Sequence, residues 1–265
     1  MTLTTQQLPG GLPPGRLIVP DPRYAWPGTE SPADPVLWVS DEPLPAAEAG
    51  HRWGELYAHR RESGLWPLLL GALPDADGEP LRPWHNGQLH TAGTDEADEA
   101  DLARLGADGW AELGRYTRLP YRTWPGMAPA AGPADDPDTG ALALTGSADG
   151  VRALFSGAGR GPYLGLTDAT DGARAILACG WQPEIGPDTV AALVRSWDRR
   201  FGARLCALEA QSLGLSVARP PRTPGHARQV AAEHFAFCPD LAEAVGFDTY
   251  AAALVDAPVW ALGWL

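Results

Sequence analysis

The sequence predicts an α+β protein built from two α/β-type units. Apolar residues at helical spacing alternate along the chain with short apolar runs typical of strands. A stretch rich in Pro, Ala, Gly and Asp separates a front part from a rear part. With 265 residues, the chain is long enough for two modest domains that each bury a core. We therefore expect an N-terminal unit at 1–124 with a flexible Pro/Gly-rich lead-in, a linker at 125–158 and a C-terminal domain at 159–265.

The front unit begins with a predicted β-α-β arrangement. Residues 35–40, PVLWVS, form a short β-prone run, and residues 65–73, LWPLLLGAL, have the continuous apolar character of a buried strand. A helix between them has its apolar positions at Ala49, Trp53, Leu56 and Tyr57. Gly64 is placed to end that helix.

A second helix of the front unit is predicted from residue 94 onward. Thr94 is its candidate N-cap, and its first turn contains Asp95, Glu96 and Asp98. Carboxylates in a first turn interact favourably with the positive end of the helix dipole.

The rear unit is predicted to run in the order β-α-α-β-β-α-α-β. Residues 162–169 form the first strand, and a helix over 171–181 follows. The clearest helix of the chain is capped by Asp188 or Thr189 and stopped by Gly202. Two strands then surround a turn near Gln211 and Ser212.

The last part of the rear unit carries two more helices and a terminal strand. Thr223 followed by Pro224 provides an N-cap and first-turn proline, and Pro239 marks the end of that helix. A helix over 247–257 and a strand over 258–265 complete the unit. The order predicts a small mixed or antiparallel sheet with helices packed on it, in a decorated ferredoxin-like arrangement.

Charge and composition exclude several classes of function. The net charge of −13 disfavours nucleic acid, because binding along a nucleic-acid backbone needs a basic surface. The acidity is uneven: residues 1–158 have a net charge of −11 and residues 159–265 one of −2. No apolar run approaches the roughly 18 residues of a membrane span, and the start does not resemble a secretory signal. We expect a cytoplasmic protein without membrane contact.

The sequence predicts no cofactor and no cysteine framework. The chain has neither a lysine nor a GxGxxG motif, which excludes a P-loop lysine or Schiff base and leaves nucleotide binding unsupported. Its three cysteines are widely separated and include no CxxC pair, which is typical of reduced, buried thiols.

The segment QVAAEHFAFCPD, residues 229–240, offers the main candidate site. His234 and Cys238 are four residues apart and share one face of a helix, which is the spacing of half a metal site. With Glu233 they form an alternative catalytic set for a metal-assisted or thiol-dependent enzyme. The competing interpretation, which we prefer, makes His234 and Cys238 part of an apolar packing face. Glu233 and Asp240 are then the positions expected to meet solvent or a partner.

Further binding candidates lie on the clearest helix and at the C-terminus. Arg195 and Arg199 share a helical face, and their guanidinium groups are suited to a phosphate or to carboxylates of a partner. The chain contains 11 tryptophans, a residue type enriched at interfaces. Trp197 and Trp260 are the two we include in the predicted binding set, although most tryptophans are expected in the core.

A family resemblance rests on several motifs in order along the rear unit. These are SWDRRFGAR, LSVARPPRT, VAAEHFAFCPD and the terminal VWALGWL. Together they resemble the bacterial domain of unknown function numbered 4253, common in actinobacteria, over roughly residues 163–265. The front motifs PVLWVSDEPLP and GLWPLLL resemble the segment that often precedes that domain. Relatives often end in an acid, whereas this chain ends in WALGWL. The resemblance implies no established activity.

These observations favour a soluble, non-enzymatic protein-binding module, of an immunity or regulatory kind. The expected partner is a protein, and the acidic charge favours a basic one. The sequence does not determine the oligomeric state.

Overall fold

The computed structural model describes residues 3–24, 33–71, 73–74, 80–81, 83–89, 98–132, 136–155 and 161–264. The strands are β1 (Gly15–Ile18), β2 (Leu37–Ser40), β3 (Leu65–Leu70), β4 (Leu73–Pro74), β5 (Pro80–Leu81), β6 (Tyr163–Asp168), β7 (Ala203–Leu208), β8 (Ser212–Val217) and β9 (Val259–Gly263). The helices are α1 (Ala46–Ala58), α2 (Arg60–Ser63), α3 (Pro83–Asn86), α4 (Glu99–Leu113), α5 (Pro137–Thr145), α6 (Ala148–Ala153), α7 (Gly172–Cys179), α8 (Pro187–Phe201), α9 (Pro224–Phe237), α10 (Leu241–Ala244) and α11 (Phe247–Ala253). The predicted α+β class is confirmed.

Strands from both predicted units share one mixed sheet of seven strands. Its order is β1-β2-β6-β3-β7-β8-β9, and the β3 and β7 pair is parallel while the other pairs are antiparallel. Strand β6 of the rear part is inserted between β2 and β3 of the front part. Both edges of β6 are therefore hydrogen-bonded to the front segment, and the predicted domain boundaries stay a prediction.

Helices cover both faces of this sheet. Leu215 of β8 pairs with Trp260 of β9, whose ring lies 5.1 Å from Phe201 of α8 and 4.7 Å from His234 of α9. Gly214 points to the opposite face, where an added Cβ would collide with the carbonyl of Leu154 after α6. Helices α1, α5 and α6 contact one another on that side. On the other side α7, α8 and α9 cover the sheet, and α4 and α11 pack on α9.

Part of the predicted linker is folded and packed. Helices α5 and α6 lie within residues 125–158, and Ala141 and Val151 are fully buried there. The small residues that made this stretch resemble a linker allow close helix packing instead: a Cβ on Gly150 of α6 would collide with the carbonyl of Leu144 in α5. The lead-in also differs from the prediction, because it contains the edge strand β1. Backbone pairing with β2 holds this strand, and only Ile18 of its residues is buried.

One predicted helix end is confirmed and three boundaries are corrected. Gly202 adopts a left-handed conformation with φ of 62° at the end of α8. Gly64, with φ of 72°, ends the short helix α2, whereas the predicted helix α1 already ends at Ala58. The N-cap of α8 is Gly186 rather than Asp188 or Thr189. The N-cap of α4 is Asp98, whose carboxylate accepts a hydrogen bond from the backbone N–H of Asp101 at 2.8 Å. Thr94, Asp95 and Glu96 lie outside the described residues.

The rear unit follows the predicted order with one short extra helix, α10. A ferredoxin-like domain that is complete in itself forms its sheet from its own strands. Here β3 of the front part lies between β6 and β7 of the rear part, so the strands of the rear part do not form one continuous sheet by themselves. In the described part of the chain, no helix has both the length and the apolar character needed to span a bilayer.

Candidate functional site

Helix α9 begins as its sequence predicts. The Thr223 side chain accepts a hydrogen bond from the backbone N–H of His226, and Pro224 occupies the first helical position. The helix ends at Phe237, and the backbone N–H of Cys238 donates to the carbonyl of His234 at 2.7 Å.

The second half of α9 is buried on every side. All residues from 230 to 238 are buried, because α9 lies between the sheet and α8 on one side and α4 and α11 on the other. A helical pattern of apolar residues distinguishes faces only when one face meets solvent. The expectation that Glu233 meets solvent is therefore wrong: its exposure is 0%.

The Glu233 carboxylate is bound by four donors. Its Oε1 accepts from the indole Nε1 of Trp197 at 2.7 Å and from Nη2 of Arg200 at 2.6 Å. Its Oε2 accepts from Nη1 of Arg200 at 2.9 Å and from the backbone N–H of Ala128 at 2.9 Å. A buried carboxylate with an arginine fork and two further donors is neutralised in place. This arrangement joins α8, α9 and the segment after α4.

His234 is fully buried in an aromatic cage. Its ring lies 5.3 Å from Trp197 and 4.7 Å from Trp260, and its Nδ1 is 2.8 Å from the hydroxyl of Tyr250. Burial, aided by the charge of Arg200, lowers the pKa of His234 to about 3. The imidazole is neutral at pH 7, and its Nε2 has no hydrogen-bond partner in the described structure.

Cys238 has the properties of a packing residue. It is fully buried, and burial together with the charge of Asp240 raises the pKa of its thiol well above the usual value. A nucleophilic cysteine needs the opposite shift and an accessible sulfur. Among the residues that the structure describes, no group of three His, Cys, Asp or Glu side chains is placed to hold a metal ion. The alternative set of Glu233, His234 and Cys238 therefore gains no support from the geometry.

The predicted tryptophan contacts are internal as well. Trp197 is 0% and Trp260 1% exposed, and their rings meet edge to face at 6.0 Å. Every described tryptophan except the half-buried Trp124 is buried, and Trp26 lies outside the described residues. The expectation of a binding surface made by exposed tryptophans is not met in the described part. Trp197 and Trp260 pack the core between the sheet and α8.

Arg195, Arg199 and Asp240 remain accessible to solvent. Arg199 is exposed, and Arg195 and Asp240 are half-buried. Arg195 lines a recess of about 130 Å³ between α7 and α8, together with Trp66, Asp171, Val194, Asp198 and Arg204. The recess lies at the amino ends of the parallel strands β3 and β7, where the Trp66 indole donates to the carbonyl of Leu205 at 3.2 Å.

A charged cluster adjoins the recess at Asp138. The Asp138 carboxylate accepts from the Tyr57 hydroxyl at 2.9 Å and from Nε of Arg204 at 3.0 Å, and it also pairs with Arg60. Burial alone would raise the pKa of Asp138, but hydrogen bonds from Arg204, Arg60 and Tyr57 outweigh it and lower that pKa to about 2. Arg204 also pairs with Asp198 at the recess. The cluster therefore fixes one wall of the recess.

Sequence reasoning missed Arg200, Asp138 and Tyr250. Arg200 lies in the basic run of α8, but only the arrangement of α8 against α9 identifies Glu233 as its partner. Asp138 lies in the segment interpreted as a linker. An acid beside a first-turn proline, in the sequence DDPD, was the available signal for a helix start there.

Residues 163–264 match the family model described as "Domain of unknown function (DUF4253)". This match confirms the domain family that the rear motifs resemble. The bacterial origin and the resemblance of the front segment stay predictions. The chain matches none of the curated proteins and none of the solved structures with which it was compared.

Proposed function

We propose that the protein is a non-enzymatic cytoplasmic binding module for a basic protein partner, of an immunity or regulatory kind. The observation that carries the proposal is the recess between α7 and α8, at which Arg195 of the predicted binding set remains accessible.

The size of the recess favours one side chain as its occupant. Its volume is about 130 Å³. Pockets for small-molecule ligands typically measure about 300 to 1,000 Å³, whereas a cavity of about 150 Å³ takes up a single benzene ring. A partner that inserts one side chain fits this volume better than a cofactor does.

The lining of the recess favours a cationic side chain. The carboxylates of Asp171 and Asp198 are each 43% exposed at the rim, where they pair with Arg174 and Arg204. A carboxylate accepts from more than one donor, so each can also bind an arginine or lysine side chain of a partner. Arg195, on the same rim, is placed to donate to a carboxylate or carbonyl of the partner.

The overall charge supports the same partner class. At the buried Glu233 and the half-buried Asp138, arginines compensate the carboxylate charge within the fold. These pairs do not reduce the excess of acids over arginines in the rest of the chain. A net charge of −13 accelerates association with a basic protein.

The test compares a recess variant with a matched surface variant. The recess variant is D171N with R195A; asparagine retains the capping of α7 because it also serves as an N-cap. The control is D149N with R152A, an exposed pair on α6 with the same charges.

The tagged chain captures partners from its host, and Kd is measured with the purified partner. We expect the recess variant to raise Kd at least about tenfold and the control less than about threefold. An unchanged Kd in the recess variant would contradict the proposal.

A further inference from the structure

A basic surface follows helix α4. Residues 113–134 contain three arginines and no acid, in a chain with a net charge of −13. Arg118 and Arg122 are exposed, and neither forms an ion pair with any described residue. Tyr116, in the same loop, is 78% exposed, and its hydroxyl donates to Glu112 at 3.0 Å. We define Tyr116, Arg118 and Arg122 as the arginine surface.

An acidic surface lies on α10 and the start of α11. No arginine or lysine follows Arg228 in the sequence, whereas Asp240, Glu243, Asp248 and Asp256 all do. Glu243 is exposed and forms no ion pair with the described residues. Asp248 is 81% exposed and pairs with Arg228. We define Glu243 and Asp248 as the glutamate surface.

The two surfaces lie side by side. Tyr121, one residue before Arg122, has its ring 6.3 Å from the ring of Phe247, the first residue of α11. Trp110 of α4 also lies 6.3 Å from Phe247. These aromatic contacts fix the arginine loop against the end of α11 that carries Asp248.

From this juxtaposition, we infer that the arginine and glutamate surfaces together bind a second copy of the same chain. In a two-fold dimer, both copies use the same surface patch, and the symmetry axis reverses its orientation in one copy. Each arginine surface therefore faces the glutamate surface of the other copy. The unpaired arginines of one surface and the unpaired Glu243 of the other are then matched at once, while Asp248 already pairs with Arg228 in its own chain. An acidic or a basic partner of another kind would match only one of the two surfaces. Tyr116, which is 78% exposed beside Arg118, belongs to a residue type enriched at interfaces.

Salt dependence alone does not test this dimer. Two copies of charge −13 repel each other, so added salt weakens that repulsion as well as the local pairing. Charge exchange separates the two effects. R118E with R122E places acids opposite Glu243, and E243R places a base opposite Arg118 and Arg122. Mixing the two variants restores opposite charges at both contacts of a heterodimer.

The experiment is analytical ultracentrifugation of the full chain at several concentrations. We expect wild type to dimerise, each variant alone to dimerise at least about fivefold more weakly, and the equimolar mixture to form a one-to-one heterodimer. The control, R152E with R174E, has the same charge change as R118E with R122E, at arginines that are 66% and 65% exposed. It should dimerise more strongly than R118E with R122E does alone. Circular dichroism checks that every variant is folded.

Three outcomes would overturn the inference. One is a wild-type chain that remains monomeric at the highest soluble concentration. Another is a wild-type dimer that both surface variants retain at full strength. The last is a mixture of the two folded variants that stays monomeric although wild type dimerises, which would place the dimer contact elsewhere.

Discussion

Replacement of Glu233 by glutamine tests the buried network most directly. The change keeps the size of the side chain but removes the charge that faces Arg200, whose side chain is only 15% exposed. An amide also accepts through one oxygen, whereas the carboxylate accepts from four donors through two. The guanidinium of Arg200 is left without a counter-charge.

The expected loss of unfolding free energy is about 3 kcal/mol. Breaking a buried ion pair by removing one partner costs about 3 to 5 kcal/mol. The lower end applies because Arg200 keeps its hydrogen bond to the carbonyl of Ala128 and has some access to water. A domain of ordinary stability, about 5 to 15 kcal/mol, remains folded after this loss.

Urea unfolding followed by tryptophan fluorescence measures the effect. The matched control is E112Q, because Glu112 is 52% exposed and pairs with an Arg115 that is 69% exposed. That change should cost less than about 1 kcal/mol. A double variant, E233Q with R200Q, should lose less than the sum of the two single variants, because the charges then disappear together. The reasoning is refuted by an E233Q protein that is no less stable than E112Q.

Two further predictions concern pH and helix packing. The folded pKa of Asp138, about 2, lies below its ordinary value of 3.8, so the ionised carboxylate stabilises the fold above pH 4 and this contribution is lost as the pH falls toward 2. The unfolding free energy, measured as the pH falls from 4 to 2, should therefore decrease by about 1 kcal/mol after allowance for solvent screening. The D138N variant should not show this decrease. G109A should lower the melting temperature because its methyl group would collide with the carbonyl of Ala236 in α9. The control is G225A, because Gly225 lies in α9 with open space around an added methyl group; it should leave the melting temperature unchanged or raise it. Equal melting temperatures for G109A and G225A would contradict the packing of α4 on α9.

Local elements were predictable where the signal is local. The capping of α9 by Thr223 and the stop of α8 at Gly202 depend on residues adjacent in sequence, and both are confirmed. The strand β1 was not predictable in this way, because an edge strand is held by backbone hydrogen bonds and buries few side chains. Helix α5 was also missed, because its small residues resemble a linker in composition.

The candidate site was predictable only as a set of residues. The helix carrying Glu233, His234 and Cys238 was expected to have a buried face, and His234 and Cys238 are indeed buried. The burial of Glu233 was not foreseen, since a one-helix pattern contains no information about a second layer on the far side. Its partners Trp197, Arg200 and Ala128 lie 36, 33 and 105 residues away along the chain.

The sequence by itself determined the α+β class, the acidic charge, the start of α9, the end of α8 and the family that the rear segment matches. These properties depend on composition, on spacing of a few residues and on motifs in order. Tertiary structure alone decided that β6 enters between β2 and β3, that Glu233 is neutralised by Arg200, and that Arg195 opens onto a recess while Trp197 faces the core. The physical reason is that each of these outcomes depends on which surfaces exclude water when distant segments meet, and no local pattern specifies that contact.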